Sequence, residues 1–324
     1  MTSMLAGAVR RERLAAADGR SGSLLERVTL AGGDTVVVKH ASAASDWIMR
    51  ATNDDGGRVA TLWWSGLLRR VPAVIEPAIL AVERDGDGWV VVMRDVSTAL
   101  LPDAARLSRA ASRRVLEAAA ALHATFRDEP PLALCSLADR YRFLSLATAR
   151  REAGGRDEIP RLLARGWTCL PELLPADVAE PVLAIAADPA PFAAELARFP
   201  ATLVHGDLKL GNVGFLGERV VLLDWGTQTG WAPPAVEVAW YLAVNHSRID
   251  ATREQVLDDF RAAEGGPHDE DALRLALLGG LVQLGWDKAL HASGHPDPAV
   301  RARERADLAW WVARAREALE RWSP

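Results

Sequence analysis

Two short polar stretches of the sequence decide its fold: residues 205–212 read HGDLKLGN, and residues 222–226 read LLDWG. Apolar runs at 201–204 and 220–223 adjoin them and predict short buried strands inside a region whose pattern is otherwise helical. Function concentrates in loops that a rigid scaffold holds in place. We therefore expect the chemistry of the protein to lie in this polar loop and at the end of the strand that follows it.

The residue types in these stretches suit phosphoryl transfer from a nucleoside triphosphate. That reaction needs a carboxylate to orient or deprotonate the acceptor hydroxyl, and oxygen ligands for the Mg²⁺ that bridges the phosphates. Asp207 is the candidate for the first role, and Asn212 and Asp224 are the candidate metal ligands. Lys209 can place a cation on the transferring phosphoryl group. We expect His205 to brace the loop rather than to react.

The first third of the chain has the pattern of a small α+β region. Residues 23–30 and 35–39 are strand-like runs on either side of an Ala-Gly-Gly-Asp turn, and residues 89–93 (WVVVM) are typical of a buried strand. Between them, residues 58–70 carry apolar side chains at helical spacing until a proline ends the run.

After Asp95 the sequence is rich in Ala and Leu, and helical periodicity prevails. Long helices are predicted at 104–126, 176–199, 271–291 and 299–322. Acidic residues crowd the segment 248–271, where they either attract a cationic amino-sugar or, as we prefer, are solvated helix starts and a loop. Four tryptophans are candidates either for stacking on a sugar or base ring or for core packing: Trp225, Trp231, Trp240 and Trp286.

The two polar stretches resemble the catalytic segments of the aminoglycoside phosphotransferase and choline kinase-like branch of the protein-kinase fold, in which HGD replaces the HRD of protein kinases. The resemblance takes in residues 36–39 (VVVK), similar to the strand whose lysine holds the α- and β-phosphates. Residues 89–96 (WVVVMRDV) are similar to the strand and hinge where the base docks. The motif order and spacing, over about residues 19–245, are more specific than a lone glycine motif.

This resemblance implies an α+β, bilobal protein-kinase-like fold with a small β-rich N-lobe and a larger, mostly helical C-lobe. The N-lobe, residues 1–95, is expected to bind nucleotide, and the C-lobe, residues 96–324, to carry the catalytic loop and the acceptor site. Lys39 is expected to bind the phosphates of ATP or GTP. Four hinge residues are expected to dock the base: Met93, Arg94, Asp95 and Val96.

The segment before the first predicted strand is the candidate phosphate-covering loop. It lacks a GxGxxG pattern, but its small residues let backbone amides and hydroxyls approach a triphosphate. The candidates are Ser21, Gly22 and Ser23. A flexible N-terminal turn is the alternative interpretation of the same residues.

Two positions depart from the family pattern. The family pairs its strand lysine with a glutamate on the next helix, and the matching position here is Val59. Without that glutamate, Lys39 needs another anion, and the sequence leaves three substitutes open: Asp46, Asp54 and Asp55. Glu237 stands where similar proteins carry Asp, at the start of a predicted helix whose dipole suits either carboxylate.

Composition excludes several classes of protein. The 324 residues include 38 Lys+Arg and 43 Asp+Glu, so the net charge of −5 gives no overall attraction to nucleic acid or anionic lipid. Cys135 and Cys169 are too few for a disulfide scaffold. No apolar stretch reaches the roughly 20 residues of a membrane span, and the N-terminal arginines follow the apolar residues, unlike in a signal peptide. We expect a cytoplasmic protein without a membrane or nucleic-acid partner; its oligomeric state is left open.

These features predict an enzyme that moves the γ-phosphate of Mg·ATP or Mg·GTP to a hydroxyl of an antibiotic, a sugar or an amino-alcohol, with antibiotic resistance as one biological role. A small acceptor is expected because the segment between Asp224 and Pro234 is too short to dock a peptide. The alternative is a catalytically weak or inactive nucleotide-binding regulatory relative, which the missing glutamate makes conceivable. The joint presence of the catalytic and metal-ligand candidates favours the enzyme, because a binding module has no need of an acceptor-orienting carboxylate.

Overall fold

The computed structural model describes residues 5–14, 22–129, 131–266 and 269–322. Its strands are β1 (Ala8–Arg13), β2 (Leu24–Leu30), β3 (Thr35–Ala41), β4 (Ile75–Glu76), β5 (Ile79–Asp85), β6 (Gly88–Arg94), β7 (Leu107–Ser108), β8 (Thr202–Val204), β9 (Val213–Leu216), β10 (Arg219–Leu222), β11 (Gly230–Ala232) and β12 (Ile249–Asp250). Its α-helices are α1 (Trp47–Ala51), α2 (Arg58–Trp64), α3 (Arg109–Phe126), α4 (Leu137–Arg142), α5 (Leu146–Glu152), α6 (Ile159–Leu173), α7 (Ala176–Ala187), α8 (Ala190–Leu196), α9 (Pro234–Asn245), α10 (Arg253–Glu264), α11 (Glu270–Gly294) and α12 (Pro298–Leu319). A β-sheet region precedes a helical region, which confirms the predicted α+β class.

Five strands of the N-terminal region form one antiparallel sheet in the order β1-β2-β3-β6-β5. Alternate side chains of β3 face opposite sides of this sheet. Val36 and Val38 pack in an apolar cluster on one side, whereas Ala41 packs with residues of α1 and α2 on the other. Lys39 lies two residues from Ala41 and shares its face, which directs the ammonium toward Asp224.

The helical region is built around α11, which packs against α6, α9 and α12. Side chains on all faces of α11 are buried along most of its length, as expected of a core helix. The neighbouring α9 presents side chains to the polar loop that follows β8. Within the described residues, no helix combines the length and the apolar character that crossing a membrane would require.

Two small sheets position the polar loop and the strand end that follows it. β8, which leads into the loop, pairs with β11. β9 and β10 form a hairpin, and β4 from the N-terminal region pairs in parallel with β10. The hairpin brings the chain back on itself, so that the amide of Leu223 donates to the carbonyl oxygen of Asn212 at 2.9 Å. Residues 212 and 224 therefore lie at adjacent ends of one hairpin.

The predicted strands at 23–30, 35–39 and 89–93 are confirmed with shifts of one or two residues. The prediction of one helix over 58–70 is wrong in its second half: α2 ends at Trp64, and Gly66, with a φ of +80°, precedes a separate 3-10 turn. The single helix over 176–199 is also wrong, because Pro189 lacks the amide that would continue α7 and instead begins α8.

Candidate active site

The polar loop after β8 turns sharply at Gly206, which has a φ of +85°. A Cβ atom at this position would lie 2.2 Å from the carbonyl oxygen of Gln228, so the turn needs glycine for both space and conformation. The carboxylate of Glu237, in the first turn of α9, stabilises the turn through hydrogen bonds. Its two oxygens accept the backbone amides of His205 and Gly206, each at 2.7 Å. The direction in which the chain enters Asp207 is thereby fixed by the first turn of α9.

Asp207 is only 5% exposed, and each of its carboxylate oxygens has a donor. The indole of Trp240 donates to Oδ1 at 3.0 Å, and the Asn212 amide donates to Oδ2 at 2.9 Å. Burial raises the pKa of Asp207, the Lys209 ammonium partly opposes this, and the charge of Asp224 adds to it, so the pKa lies above its ordinary value. The carboxylate is therefore held in one orientation and is more basic than a solvated Asp.

Asn212 and Asp224, the two metal-ligand candidates, are brought to one place by the β9–β10 hairpin. The Nδ2 of Asn212 donates to the carboxylate of Asp207 and, at 3.0 Å, to its carbonyl oxygen, which leaves the amide oxygen turned away from these contacts. Asp224 has a φ of +66°, a conformation that Asp tolerates better than most residues. Two residues later, Gly226 packs so closely on Val59 that a Cβ would lie 2.8 Å from the Val59 amide nitrogen.

Lys39 contacts Asp224 directly, with 2.6 Å between Nζ and Oδ1. Burial raises the pKa of Asp224, but the ammonium groups of Lys39 and Lys209 outweigh it and lower the pKa to about 2. Burial lowers the pKa of Lys39, but the charges of Asp224 and Asp46 outweigh it and hold the pKa above its usual value. Both partners are therefore charged at neutral pH. The sequence placed Lys39 and Asp224 in the same site but did not predict this contact.

Of the three acids left open as partners of Lys39, Asp46 is the one whose charge acts on it. Its Oδ1 caps α1 by accepting the amide of Ile48 at 2.8 Å, and its Oδ2 accepts the hydroxyl of Ser23, also at 2.8 Å. Asp54 instead accepts the amide of Arg58 at the start of α2. Asp55 is exposed.

The candidate phosphate-covering loop is described only in part, since Ser21 lies outside the described residues. Gly22 has a φ of +81°, and a Cβ there would lie 2.5 Å from the carbonyl oxygen of Ser45. Ser23 reaches Asp46, as given above. These contacts bring the segment before β2 close to the start of α1, on the side of the sheet that carries Lys39.

The four hinge candidates lie at the end of β6 and just after it. Met93 and Arg94 pair with residues of β3. Asp95 accepts a hydrogen bond from Arg27 at 2.8 Å, and Val96 is buried in a small apolar cluster with Val221 of β10. The segment therefore joins the N-terminal sheet to the hairpin that carries Asn212 and Asp224.

His205 braces the loop, as predicted. Its Nδ1 accepts the amide of Asp207 at 3.2 Å, and its ring packs edge-on against Trp225, with 4.6 Å between centroids. Burial lowers the pKa of His205, so the ring is neutral at pH 7.

Two of the four tryptophan candidates make hydrogen bonds through their indole N–H groups. Trp240 contacts the site through its indole N–H rather than by stacking, and Trp231 donates to the carbonyl oxygen of Leu132.

Two further residues of the site were not singled out from the sequence. Arg140 is buried, donates to the carbonyl oxygen of Gly206 at 2.9 Å and lies 5.4 Å from the ring centroid of Trp240. His123 lies 3.4 Å from Glu237, on the side opposite the loop. Neither has a local sequence signal, because Arg140 contacts the loop, and His123 contacts Glu237, from helices distant in the chain.

The sequence model of the phosphotransferase enzyme family matches residues 15–276. The chain belongs to this family. The resemblance stated from the catalytic motifs is thereby confirmed. No curated protein sequence matches the chain.

Several solved structures are similar to the chain over most of its length, at low sequence identity. A choline/ethanolamine kinase family protein from Mesorhizobium loti is 18% identical with a TM-score of 0.51, over 98% of this chain and 91% of that one. Choline kinase LicA from Streptococcus pneumoniae is 11% identical with a TM-score of 0.55, over 96% and 95%. An aminoglycoside phosphotransferase from Streptomyces rimosus is 20% identical with a TM-score of 0.45, over 85% and 93%. The first two confirm the kinase-like fold.

Proposed function

We propose that the protein transfers the γ-phosphoryl group of Mg²⁺-bound ATP or GTP to a hydroxyl group of a small molecule. The observation that carries this proposal is the convergence of Asp207, Asn212 and Asp224 around one hairpin, with Lys39 in contact with Asp224. A carboxylate for the acceptor, oxygen ligands for a cation and an ammonium for the phosphates are what phosphoryl transfer requires. Family membership supports the same reaction class.

In this proposal the nucleotide lies between the N-terminal region, residues 1–95, and the helical region, residues 96–324. Lys39 contacts the phosphates, and Ser21, Gly22 and Ser23 cover them. The base docks against the segment from Met93 to Val96. What supports this arrangement is that Lys39, Gly22 and Ser23 all approach the start of α1 on one face of the sheet.

The donor set suits Mg²⁺. Asp224 has an ionised carboxylate, and the Asn212 amide oxygen is left over because its nitrogen is engaged by Asp207. Mg²⁺ prefers oxygen ligands and retains water and substrate phosphates in its shell, so two protein ligands suffice. When bound, the ion would neutralise the charge that develops on the phosphate oxygens.

Asp207 is proposed to accept the proton of the acceptor hydroxyl as the oxygen–phosphorus bond forms and the bond to the β-phosphate oxygen breaks. Trp240 and Asn212 hold the carboxylate in place without protonating it, so its remaining lone pairs stay available. Lys209, whose charge acts on Asp207 and Asp224, would stabilise the transferring phosphoryl group.

The acceptor is proposed to be a hydroxylated cation, such as an amino-sugar or an amino-alcohol. A cavity of about 430 Å³ lies between the start of α6 and the C-terminal half of α11, and Asp157, Glu158 and Asp287 line it. Asp157 also lies 3.5 Å from where a Cβ of Gly22 would stand, so the cavity reaches the phosphate-covering loop. Trp286 also lines the cavity, and its buried indole nitrogen has no hydrogen-bond partner within the described residues.

Turnover measurements with ATP and with GTP test the proposal against matched pairs of acceptors. Each pair has the same hydroxyls and differs in carrying an ammonium group or a neutral substituent. Phosphorylation of the cationic member, with a KM at least 10-fold lower, is expected. Nucleotide binding without turnover of any acceptor would favour the inactive alternative, and preference for the neutral members would contradict the cationic class.

A further inference from the structure

A histidine is buried between two glutamates beneath the polar loop. His123 of α3 is fully buried, and its Nδ1 lies 2.6 Å from Oε1 of Glu264, the last residue of α10. Its Nε2 lies 3.4 Å from Oε2 of Glu237 in the first turn of α9. The two glutamate side chains are themselves only 2% and 7% exposed. Three helices thus meet at one imidazole ring.

Hydrogen-bond chemistry determines the charge of this ring. A neutral imidazole would point one lone pair at a carboxylate oxygen, whereas an imidazolium donates from both nitrogens. Burial lowers the pKa of His123, but the hydrogen bonds and charges of Glu237 and Glu264 outweigh it and raise the pKa to about 9. The ring is therefore an imidazolium at neutral pH, and it offsets a buried carboxylate that would otherwise lack a cation.

The other polar groups that face His123 do not replace it. From its own helix end, Arg127 comes within 3.9 Å of Glu264, but its side chain is 55% exposed. From the loop after β8, His205 lies near Glu237, but burial lowers its pKa and leaves it neutral. Thr202 of β8 donates to the backbone carbonyl of His123 and not to its ring. Among the described residues, His123 is thus the one buried cation in contact with Glu237.

Glu237 is the link between this histidine and the chemistry. It accepts the amides of His205 and Gly206 at 2.7 Å, and these amides shape the turn that presents Asp207. If His123 lost its proton, Glu237 would face a lone pair on one side and would keep its charge without a counterion. A buried carboxylate in that state moves, takes up a proton or admits water. Each outcome loosens the turn.

We infer that His123 and Glu264 are positioning residues, which hold Glu237 under the polar loop so that the turn before Asp207 keeps its shape only while His123 is protonated. The effect on turnover rests on the proposed phosphotransfer. The effect on the loop does not.

The decisive variant is Glu264→Gln, which keeps a hydrogen-bond acceptor for His123 but removes a charge. We expect the NMR titration midpoint of the His123 ring to fall by about one pH unit or more, since one of its two carboxylates is gone. Hydrogen exchange of the His205 and Gly206 amides, measured relative to that of the Leu203 amide, should become at least 10-fold faster as the pH rises through that midpoint. The alkaline limb of kcat should move by the same number of pH units, whereas a limb due to Lys39 would stay in place.

The matched control is Glu152→Gln. Its side chain is 6% exposed, like that of Glu264, but it pairs with Arg50 and does not contact the loop. This variant should leave the His123 midpoint, the two amides and the alkaline limb unchanged. The same pH titration of the His123 ring and of the two amides in the wild-type protein provides a test that no folding defect of a variant can affect.

Amides of His205 and Gly206 that exchange at the same rate on both sides of the His123 midpoint would overturn the inference. So would a kcat limb that stays in place while the midpoint moves. Because ring titration and amide exchange need neither nucleotide nor acceptor, a failure to find any phosphotransfer would count against the proposed function and leave this inference to be judged on the loop.

Discussion

The carboxylate of Asp207 has a donor on each oxygen, which fixes its orientation, whereas its burial raises its pKa. Trp240 and Asn212 approach it from α9 and from the start of the β9–β10 hairpin. Two neutral donors stabilise the charged form without taking the place of a substrate proton. The raised pKa and the fixed orientation are the properties that a general base in phosphoryl transfer needs.

Replacing this carboxylate separates catalysis from binding. We expect Asp207→Asn to lower kcat by about 10² or more, because a positioned base contributes that much, and to leave nucleotide affinity within a few-fold. Single-turnover kinetics and nucleotide titration measure the two effects. Asp103→Asn, at an exposed surface turn, is the control and should change neither. Normal turnover of a genuine acceptor by Asp207→Asn would refute the assigned role.

Asp224→Asn is expected to act on binding first. The substitution removes both the charged candidate ligand of Mg²⁺ and the ion-pair partner of Lys39. Calorimetric titration with ATP should show the gain in affinity from Mg²⁺ largely lost, by about 10-fold or more, whereas binding without Mg²⁺ should change little. An undiminished Mg²⁺ effect would mean that the cation is held elsewhere.

At this scale the sequence predicted what is local. The proximity of Asp207, Asn212 and Asp224 could be predicted because all three lie within one loop and the hairpin that follows it. The contact between Lys39 and Asp224 could not, because it joins residues 185 positions apart across the cleft. The choice of Asp46 over Asp54 could not be predicted either, because both accept backbone amides at helix starts and only the fold shows that Asp46 lies near Lys39.

Among the elements, the turn at Gly206 is constrained in three ways. Its backbone is left-handed, and the carbonyl oxygen of Gln228 occupies the space where a side chain would begin. The turn also offers its amides to Glu237. Conformation, space and hydrogen bonding therefore all act on the same peptide unit.

Gly206→Ala tests this turn against Gly217→Ala. Both glycines have positive φ, of +85° and +58°, but a Cβ at Gly217 would meet nothing within 4 Å. The φ of Gly217 lies within the left-handed α region, whereas that of Gly206 lies beyond it, so alanine costs more backbone strain at Gly206. The clash is also confined to Gly206. We expect Gly206→Ala to lose at least about 2 kcal/mol more unfolding free energy than Gly217→Ala, measured in urea. Equal losses would show that the loop can relax around the added methyl group.

Helices and strands could be predicted where apolar residues recur without interruption at helical or strand spacing, and less well elsewhere. β1 was missed because its side chains are charged and mostly exposed at the edge of the sheet. In segment 248–271, the prediction of solvated helix starts is correct for the exposed acids Asp269, Glu270 and Asp271 at the start of α11. It is wrong for Asp259 and Glu264, whose side chains are only 8% and 7% exposed and pair within the fold. Asp259 binds Arg109, Glu254 accepts the indole of Trp310, and Glu264 contacts His123.

For the whole molecule, Arg50 and Glu152 form an ion pair that joins α1 to α5, with 2.7 Å between their nearest atoms. The Glu152 side chain is buried, whereas that of Arg50 is 35% exposed. Burial raises the pKa of Glu152, but Arg50 and Arg151 outweigh it and hold the pKa below its usual value. Because the folded-state pKa lies below that of the unfolded chain, the ionised carboxylate stabilises the fold above about pH 4.3. That contribution is lost as the pH falls through the folded-state value.

Glu152→Gln is therefore expected to lower the unfolding free energy at pH 7. Between pH 6 and pH 3 it should lose less stability than the wild type, because it has no carboxylate to protonate at this contact. Urea unfolding at a series of pH values gives both quantities. If the unfolding free energies of wild type and variant fell in parallel between pH 6 and pH 3, the ion pair between α1 and α5 would contribute nothing to stability.

The pairing of β4 with β10 has a consequence for any attempt to cut the chain at the proposed boundary after residue 95. Val220 donates to the carbonyl oxygen of Val74, and Glu76 accepts a hydrogen bond from Arg219 at 2.6 Å. Expressed alone, the downstream fragment would have a bare strand edge at β10, which is open to self-association. We expect the two fragments to be recovered in native form only when they are produced together, as complementing pieces that copurify.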